Sequence, residues 1–174
     1  MRDIKLPVRY KSKHLLHPSD RVWDEALEIR KLGGRINSAA LAIEDVIVDI
    51  VSTTMLREVK AHRQTVIGAL LKTDACSFSA KRKLLLACID TFGLLQAGER
   101  NELDRHLSKV SSYRNAFVHG DLMHNGTVHE LRYFQGQPRV TELSDAFLEE
   151  LQEHYLSAWA LLEKAQAAAL RVDS

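Results

Sequence analysis

The sequence has few of the residues that mark disulfide-bonded, β-rich or disordered proteins. It contains two cysteines, three prolines and eight glycines among 174 residues. Cys76 and Cys88 alone make neither a disulfide framework nor a four-cysteine zinc site. So few turn-forming residues argue against an all-β sandwich and against a disordered chain. The composition therefore favours one helical domain over residues 1–174.

Charge of one sign and long apolar runs are also missing. The chain has 24 Lys and Arg against 23 Asp and Glu, so its net charge of +1 gives no overall attraction to nucleic acid or membrane. The most apolar stretch, residues 39–55, is interrupted by Glu44, Asp45 and Asp49 and is too short to span a bilayer. Residues 1–17 are basic but lack the apolar segment of a signal peptide. We therefore expect a cytoplasmic protein with a basic N-terminal arm and no membrane partner.

Apolar spacing predicts an all-α fold of five to six helices with one small β-hairpin before the last helix. The first three predicted helices cover residues 20–32, which Gly33-Gly34 ends, 35–55 and 60–72. The fourth covers residues 79–96, with Ser79 as its N-cap. The fifth runs from Gly98 to a C-cap at Gly120, and the last follows Ser144 and reaches about residue 169. β-Branched and aromatic residues predict the hairpin strands at 127–134 and 139–142.

The end of the helix that stops at Gly120 carries the clearest signal for chemistry. Its apolar stripe includes Arg114, and an arginine in such a stripe needs an acid, an interface or an anionic ligand. Asn115 and His119 share one helix face, and Arg114 lies about 140° around the helix from His119 and ~7.5 Å along it. A histidine in the last helical turn can exchange protons near neutral pH. These residues predict a site for an anion and a proton transfer.

The run Arg-Asn-Ala-Phe-Val-His-Gly at residues 114–120 resembles the R-x4-6-H motif of HEPN domains. Those domains are helical modules, and their catalytic members are ribonucleases that need no metal. The stretch 77–81, the hairpin and the last helix are also similar to some members, so the resemblance covers roughly residues 77–169. Val118 departs from the pattern, because alanine is commoner there.

The resemblance implies an HEPN-like homodimer in which two copies of this helix end form one composite cleft. It implies a metal-independent endoribonuclease of toxin or defence type, with no cofactor, that acts on RNA and has a neutralising antitoxin-type protein as a further partner. His119 would act as general base or acid, Arg114 would stabilise phosphorane charge, and Asn115 would position the phosphate or His119. The alternative is a non-catalytic HEPN-like module that binds a nucleotide or a protein.

Four further residues are candidates for contact with RNA. Lys81, Arg82 and Lys83 form a basic triplet in the first turn of a predicted helix, where they oppose the helix dipole. Tyr113 could stack on a base. The alternatives are a solvated basic face for the triplet and ordinary core packing for Tyr113.

Structural alternatives also remain for the motif itself. Arg114 could pair with a core acid, and Glu44, Asp45 or Asp49 could supply that acid, line the cleft or stay exposed. His119 could be a helix cap. His119, His124 and His129 recur every five residues and raise the possibility of a metal site, but the spacing does not place them on one helix face. We expect no metal ligand among them.

Overall fold

The computed structural model describes residues 11–12, 20–57, 63–73 and 76–172, and the fold is mostly helical with a small sheet. The helices are α1 (Asp20–Met55), α2 (Arg63–Val66) with a π-helical continuation over Ile67–Leu71, α3 (Phe78–Phe92), α4 (Ala97–His119) and α5 (Asp145–Val172). The strands are β1 (Lys11–Ser12), β2 (Asp121–His124), β3 (His129–Gln135) and β4 (Gln137–Glu142). The prediction of a mostly helical chain is confirmed, but the sheet is larger than the single hairpin that we expected.

Helix α1 runs without a break through Gly33 and Gly34, so the predicted boundary between two helices there is wrong. A side chain at Gly33 would place its Cβ 3.3 Å from Cδ1 of Phe117 on α4. The glycine therefore serves close packing of two helices. Tertiary packing of α1 outweighs the cost of about 1 kcal/mol that a glycine imposes on a helix interior.

Helix α3 is shorter than predicted at its C-terminal end and starts at a different cap. Ser77 is the N-cap, since its Oγ accepts a hydrogen bond from the backbone N–H of Ala80 at 3.3 Å. The predicted cap, Ser79, lies inside the helix. The helix ends at Gly93, whose φ of 62° is left-handed and favours glycine. The last helical residue is Phe92, so residues 93–96 of the predicted helix lie outside it.

Helix α4 ends where the sequence predicted, and Gly120 is its C-cap, with its backbone N–H donating to Ala116 O at 2.8 Å. Gly120 follows the helix in an extended conformation, with φ −81° and ψ 151°. A Cβ there would lie 2.2 Å from the backbone oxygen of Ala116 and 3.0 Å from Cδ1 of Leu131. Glycine is required because a side chain would collide with the Ala116 carbonyl in the last turn of α4, and β3 is also close.

The sheet has the order β1-β2-β3-β4, with β1 parallel to β2 and the other pairs antiparallel. The predicted hairpin is β3–β4, which turns at Gly136. Its first strand begins at His129 because Asn125 Oδ1 accepts hydrogen bonds from the backbone of Thr127 and Val128 and holds them in a turn. Strand β2 was not predicted. The predicted basic arm over residues 1–17 lies outside the described residues apart from β1, and so do residues 60–62 of the predicted 60–72 helix.

Helix α1 is the centre of the bundle and packs against α3, α4 and α5. Its buried side chains meet large aliphatic residues from the other three helices; the largest fully buried side chains of this core include Ile43, Ile47, Ile50, Leu85, Ile89, Leu103, Leu107, Val110 and Leu162. Helix α5 starts as predicted, because Ser144 Oγ accepts a hydrogen bond from the Phe147 N–H at 3.3 Å. Among the described helices, none combines the length and the apolar character needed to cross a membrane.

Candidate functional site at the end of α4

Arg114 lies on α4 with its side chain half-buried at the border of a cavity of about 490 Å³. The cavity is also lined by Leu41, Glu44 and Asp45 of α1 and by Lys81 of α3. The Nε atom of Arg114 is buried and has no hydrogen-bond partner among the described residues. A buried donor without a partner is costly, so this atom is a place where an added acceptor would be favourable.

The acids next to Arg114 pair with other cations. Glu44 forms a buried ion pair with Lys81, and Asp45 lies 3.3 Å from Lys72 Nζ. Asp49 is exposed. Glu44 and Asp45 therefore line the cavity, as one alternative proposed, and within the described part of the chain Arg114 forms no ion pair with them.

Asn115 and His119 lie one helical turn apart on α4, and both are exposed. His119 is the last residue of the helix, where unsatisfied backbone carbonyls carry partial negative charge. The arrangement expected from the sequence is present, with an accessible imidazole and an amide on one face. His119 does not line the cavity that Arg114 borders, so within one chain the two residues face different sides of α4.

The basic triplet does not form one surface for RNA. Lys81 is only 6% exposed and is held by Glu44. Arg82 Nε lies 2.6 Å from Asp104 Oδ1 on α4, and Lys83 is exposed. The triplet is therefore divided between the core, an interhelical ion pair and solvent, which corrects the expectation of a shared basic face.

Tyr113 packs in the protein rather than standing free for base stacking. Its side chain is buried, and its ring meets Phe147 edge-on with centroids 5.5 Å apart. Its hydroxyl donates a hydrogen bond of 2.9 Å to Glu150 Oε1, and burial, together with that carboxylate, raises the pKa of Tyr113. Tyr113 is therefore packed in the protein, as the alternative to base stacking stated.

A buried pair of histidines, which the sequence did not lead us to expect, lies beside Tyr113. His106 of α4 and His154 of α5 are 4% and 5% exposed, and their Nδ1 atoms lie 2.8 Å apart. Arg105 Nη2 lies 3.0 Å from His106 Nε2, and a guanidinium can only donate. His106 therefore accepts at Nε2 and donates from Nδ1 to His154. The proton of His154 is then on Nε2, 3.6 Å from Glu150.

Burial is the main cause of the low pKa of both histidines in this pair. It lowers the pKa of His106, and Arg105 and His154 lower it further. It also lowers the pKa of His154, with Lys109 as the next cause. Both pKa shifts favour the neutral rings, in agreement with the hydrogen-bond directions. No periodic pattern in the sequence signals this pair, since the two residues are 48 positions apart.

His124 and His129 face each other across β2 and β3, while His119 is on the helix end. The two rings are edge-on with centroids 4.8 Å apart, and His129 Nε2 lies 3.3 Å from Glu25 Oε2. Within the described residues, no group of three or more His, Cys, Asp or Glu side chains is arranged to hold a metal ion. The three histidines therefore do not come together as a metal site would require.

Comparison with models of protein families, with curated proteins and with solved structures finds no match to this chain.

Proposed function

We propose that the protein is a metal-independent endoribonuclease of HEPN type that cleaves RNA at a site shared by two copies of the chain. One observation carries the proposal: the buried Nε of Arg114 has no partner among the described residues, although two carboxylates line the same cavity. A structural arginine would pair with one of them. An arginine that meets an anionic substrate has a reason to stay unpaired.

The angle between the two motif residues supports the proposal of a shared site. Arg114 and His119 point about 140° apart around α4, so one chain presents them to different sides. We propose that Arg114 of one copy faces the partner's His119. Leu41 and Val118 flank Arg114, on the cavity wall and one helical turn further on, and they are 46% and 49% exposed. Exposed apolar residues beside a charged group suit an interface between copies, which would bury about 1,200–2,000 Å² in total.

The proposed reaction is an internal transesterification of RNA. One His119 takes the proton of a ribose 2′-hydroxyl, the 2′-oxygen bonds to the adjacent phosphorus, and the bond from phosphorus to the 5′-oxygen breaks. The leaving 5′-oxygen takes a proton from solvent, so each site needs one His119 and one Arg114. Arg114 stabilises the extra negative charge on the phosphorane, and Asn115 positions the phosphate. The products are a 2′,3′-cyclic phosphate and a 5′-hydroxyl.

Cleavage of RNA in excess chelator tests this proposal. We expect wild type to cleave ordinary RNA there and to leave RNA with a 2′-deoxy nucleotide at the scissile position intact. His119→Gln keeps a polar amide but cannot exchange protons, so the rate should fall by about 10²–10⁴-fold. Arg114→Lys keeps the charge and loses the planar fork, so kcat should fall while RNA affinity changes little. Arg35→Lys, at an exposed position of α1, is the matched control.

A second candidate function is the binding of a nucleotide without cleavage. The cavity of about 490 Å³ beside Arg114 favours it, because small-molecule sites are commonly of that size. Wild type that cleaves no RNA but binds a nucleoside phosphate in an Arg114-dependent way would support this candidate. Cleavage that is lost on chelation and kept in His119→Gln would contradict the ribonuclease proposal.

A further inference from the structure

A second, larger groove lies along α4, on a different side of the helix from Arg114. We call it the α4 groove; it has a volume of about 790 Å³ and lies between α4, the hairpin β3–β4 and the start of α5. Its α4 wall consists of Asn101, Asp104, Arg105, Ser108, Lys109 and Ser112, with Tyr113 beside them. The groove is separate from the cavity that Arg114 borders, which α1 and α3 line.

The α4 groove has an excess of positive charge that its own acids do not neutralise. Of its four basic residues, Arg82 pairs with Asp104, and Lys109 pairs with Glu150 at 3.0 Å. Arg105 and Arg139 are exposed and have no carboxylate partner among the residues that the structure describes. Two guanidinium groups on opposite walls are therefore available to an anion, and guanidinium matches the geometry of phosphate.

The spacing along α4 connects this groove with His119. Asn101, Arg105, Ser108 and Ser112 are separated by four, three and four residues, and the same steps of three and four continue to Asn115 and His119. Because a helix turns every 3.6 residues, all six side chains lie on one face, which extends about 27 Å along the axis. A single strand of nucleic acid bound along this face, starting in the groove, would reach His119.

The buried histidine pair holds one guanidinium of the groove in place. Arg105 donates to His106 Nε2 at 3.0 Å, and His106 is fixed by its hydrogen bond to His154. Farther along the same wall, Ser112 Oγ of α4 donates to Gln135 Oε1 of β3 on the opposite wall at 3.1 Å. A charged group oriented before binding loses less entropy when the ligand arrives.

We propose that the α4 groove binds the backbone of single-stranded RNA and leads it to His119. The occupant is RNA rather than an acidic peptide because hydroxyl, amide and guanidinium groups track one face toward the residue assigned to act on a 2′-hydroxyl, and Tyr133 adds a ring at the hairpin. This inference rests on the proposed ribonuclease function, since that function supplies the reason for the direction of the strand.

Binding of a fluorescent single-stranded RNA that is 2′-O-methylated, and so cannot be cleaved, tests the groove. The variants are Arg139→Ala, on an exposed part of β4, and Arg139→Ala combined with Arg105→Gln. We expect the double variant to weaken binding at least tenfold. The slope of log affinity against log salt should decrease in magnitude by about 1.4, which corresponds to two lost phosphate contacts on a single strand. Arg35→Ala is the control for the single variant Arg139→Ala: it also removes one positive charge, but outside the groove, and should leave RNA binding unchanged.

The outcomes separate this inference from the proposed function. Equal weakening by Arg35→Ala and Arg139→Ala, or normal binding by a double variant that melts like wild type, would overturn the groove even if His119→Gln abolishes cleavage. Groove-dependent binding by a wild type that cleaves no RNA would support the groove and refute the ribonuclease. Tighter binding of a poly-glutamate peptide than of RNA would refute the assignment to RNA.

Discussion

The polar side chains in the two halves of α4 differ in their burial and in their hydrogen-bond partners. Around His106, the imidazole is buried and each of its nitrogens has a partner, in Arg105 and His154. From Arg114 to the end of the helix, His119 is exposed and Arg114 keeps a buried Nε without a described partner. The first arrangement stabilises the contact between α4 and α5. The second leaves polar groups available, which is the property that a site for a ligand needs.

The largest expected effect comes from extending this comparison to two cations that line the same cavity, the paired Lys81 of α3 and Arg114 of α4, and measuring how each affects stability. Lys81→Met removes the partner of Glu44 and leaves a carboxylate that is mostly buried. We expect the free energy of unfolding to fall by about 3–5 kcal/mol. Arg114→Met breaks no ion pair that the structure describes. The free energy of unfolding should therefore fall by less than about 1 kcal/mol. Urea unfolding of the two variants measures both values, and a loss for Arg114→Met equal to that for Lys81→Met would make Arg114 structural.

The two histidines of α4 provide a sharper test, with a smaller effect. His106→Leu leaves Nδ1 of His154 without its donor, so we expect a loss of about 1–3 kcal/mol. His119→Leu, on the same helix but exposed, should change stability by less than about 0.5 kcal/mol. The cycle of His106→Leu, His154→Leu and the double variant should give a coupling of about 0.5–3 kcal/mol. A coupling near zero in thermal or urea unfolding would mean that the rings do not interact.

The pH dependence of stability should come in part from the buried half of α4. The pKa of His106 and of His154 is lowered from 6.5, chiefly by burial. The unfolded chain therefore takes up protons at a higher pH than the folded pair. The free energy of unfolding should be constant above about pH 7 as far as this pair is concerned, and should decrease as the pH drops below about 6.5.

Urea unfolding between about pH 5 and 7.5 measures this effect. The double variant His106→Leu/His154→Leu should show a shallower decrease in acid, with a remainder from His129, whose pKa burial also lowers. The carboxylates of Glu102 and Glu153 oppose the pKa shift of His106, and those of Glu150 and Glu153 oppose the pKa shift of His154. An acid-induced loss that is identical in wild type and double variant would show that the pair does not cause it.

The smallest expected effect concerns the glycines that α1 places near the unpaired half of α4. Gly34 has open space around it, so Gly34→Ala should stabilise the helix by about 0.5–1 kcal/mol. Gly33→Ala should gain less, because the new Cβ would meet Phe117 at 3.3 Å. Thermal unfolding compares the two variants. Equal gains would mean that α1 and α4 can separate slightly at no cost.

Local patterns predicted the elements of this fold better than they predicted its pairings. The end of α4, the hairpin and the Ser144 cap follow from residues within a few positions of each other. The predicted end of a helix at Gly33-Gly34 was wrong. Glycine at position 33 allows a close contact with Phe117, which is far away in the sequence. Strand β2 has only four residues, too few for its alternation to stand out.

Prediction of the candidate site from the sequence is limited in the same way, to features that depend on neighbouring residues. The helical placement of Arg114, Asn115 and His119 follows from sequence spacing, and the structure agrees with it. The basic triplet was misread because the partner of Lys81, Glu44, is 37 residues away. The α4 groove was missed because its positive charge comes from separate elements, with Arg105 on α4 and Arg139 on β4. Pairings between distant residues decide which charges remain available, and no local pattern contains that information.

The central claim, that Arg114 of one copy acts with the partner's His119, is tested most directly by mixing two inactive variants. Arg114→Lys and His119→Gln chains are combined after brief unfolding, and formation of mixed dimers is verified by co-purification through a tag on one chain. Random pairing makes half of the dimers mixed, and each of those has one intact site out of two. The account predicts recovery of about a quarter of the wild-type rate of RNA cleavage. Mixed dimers that form and show no recovered cleavage would contradict it.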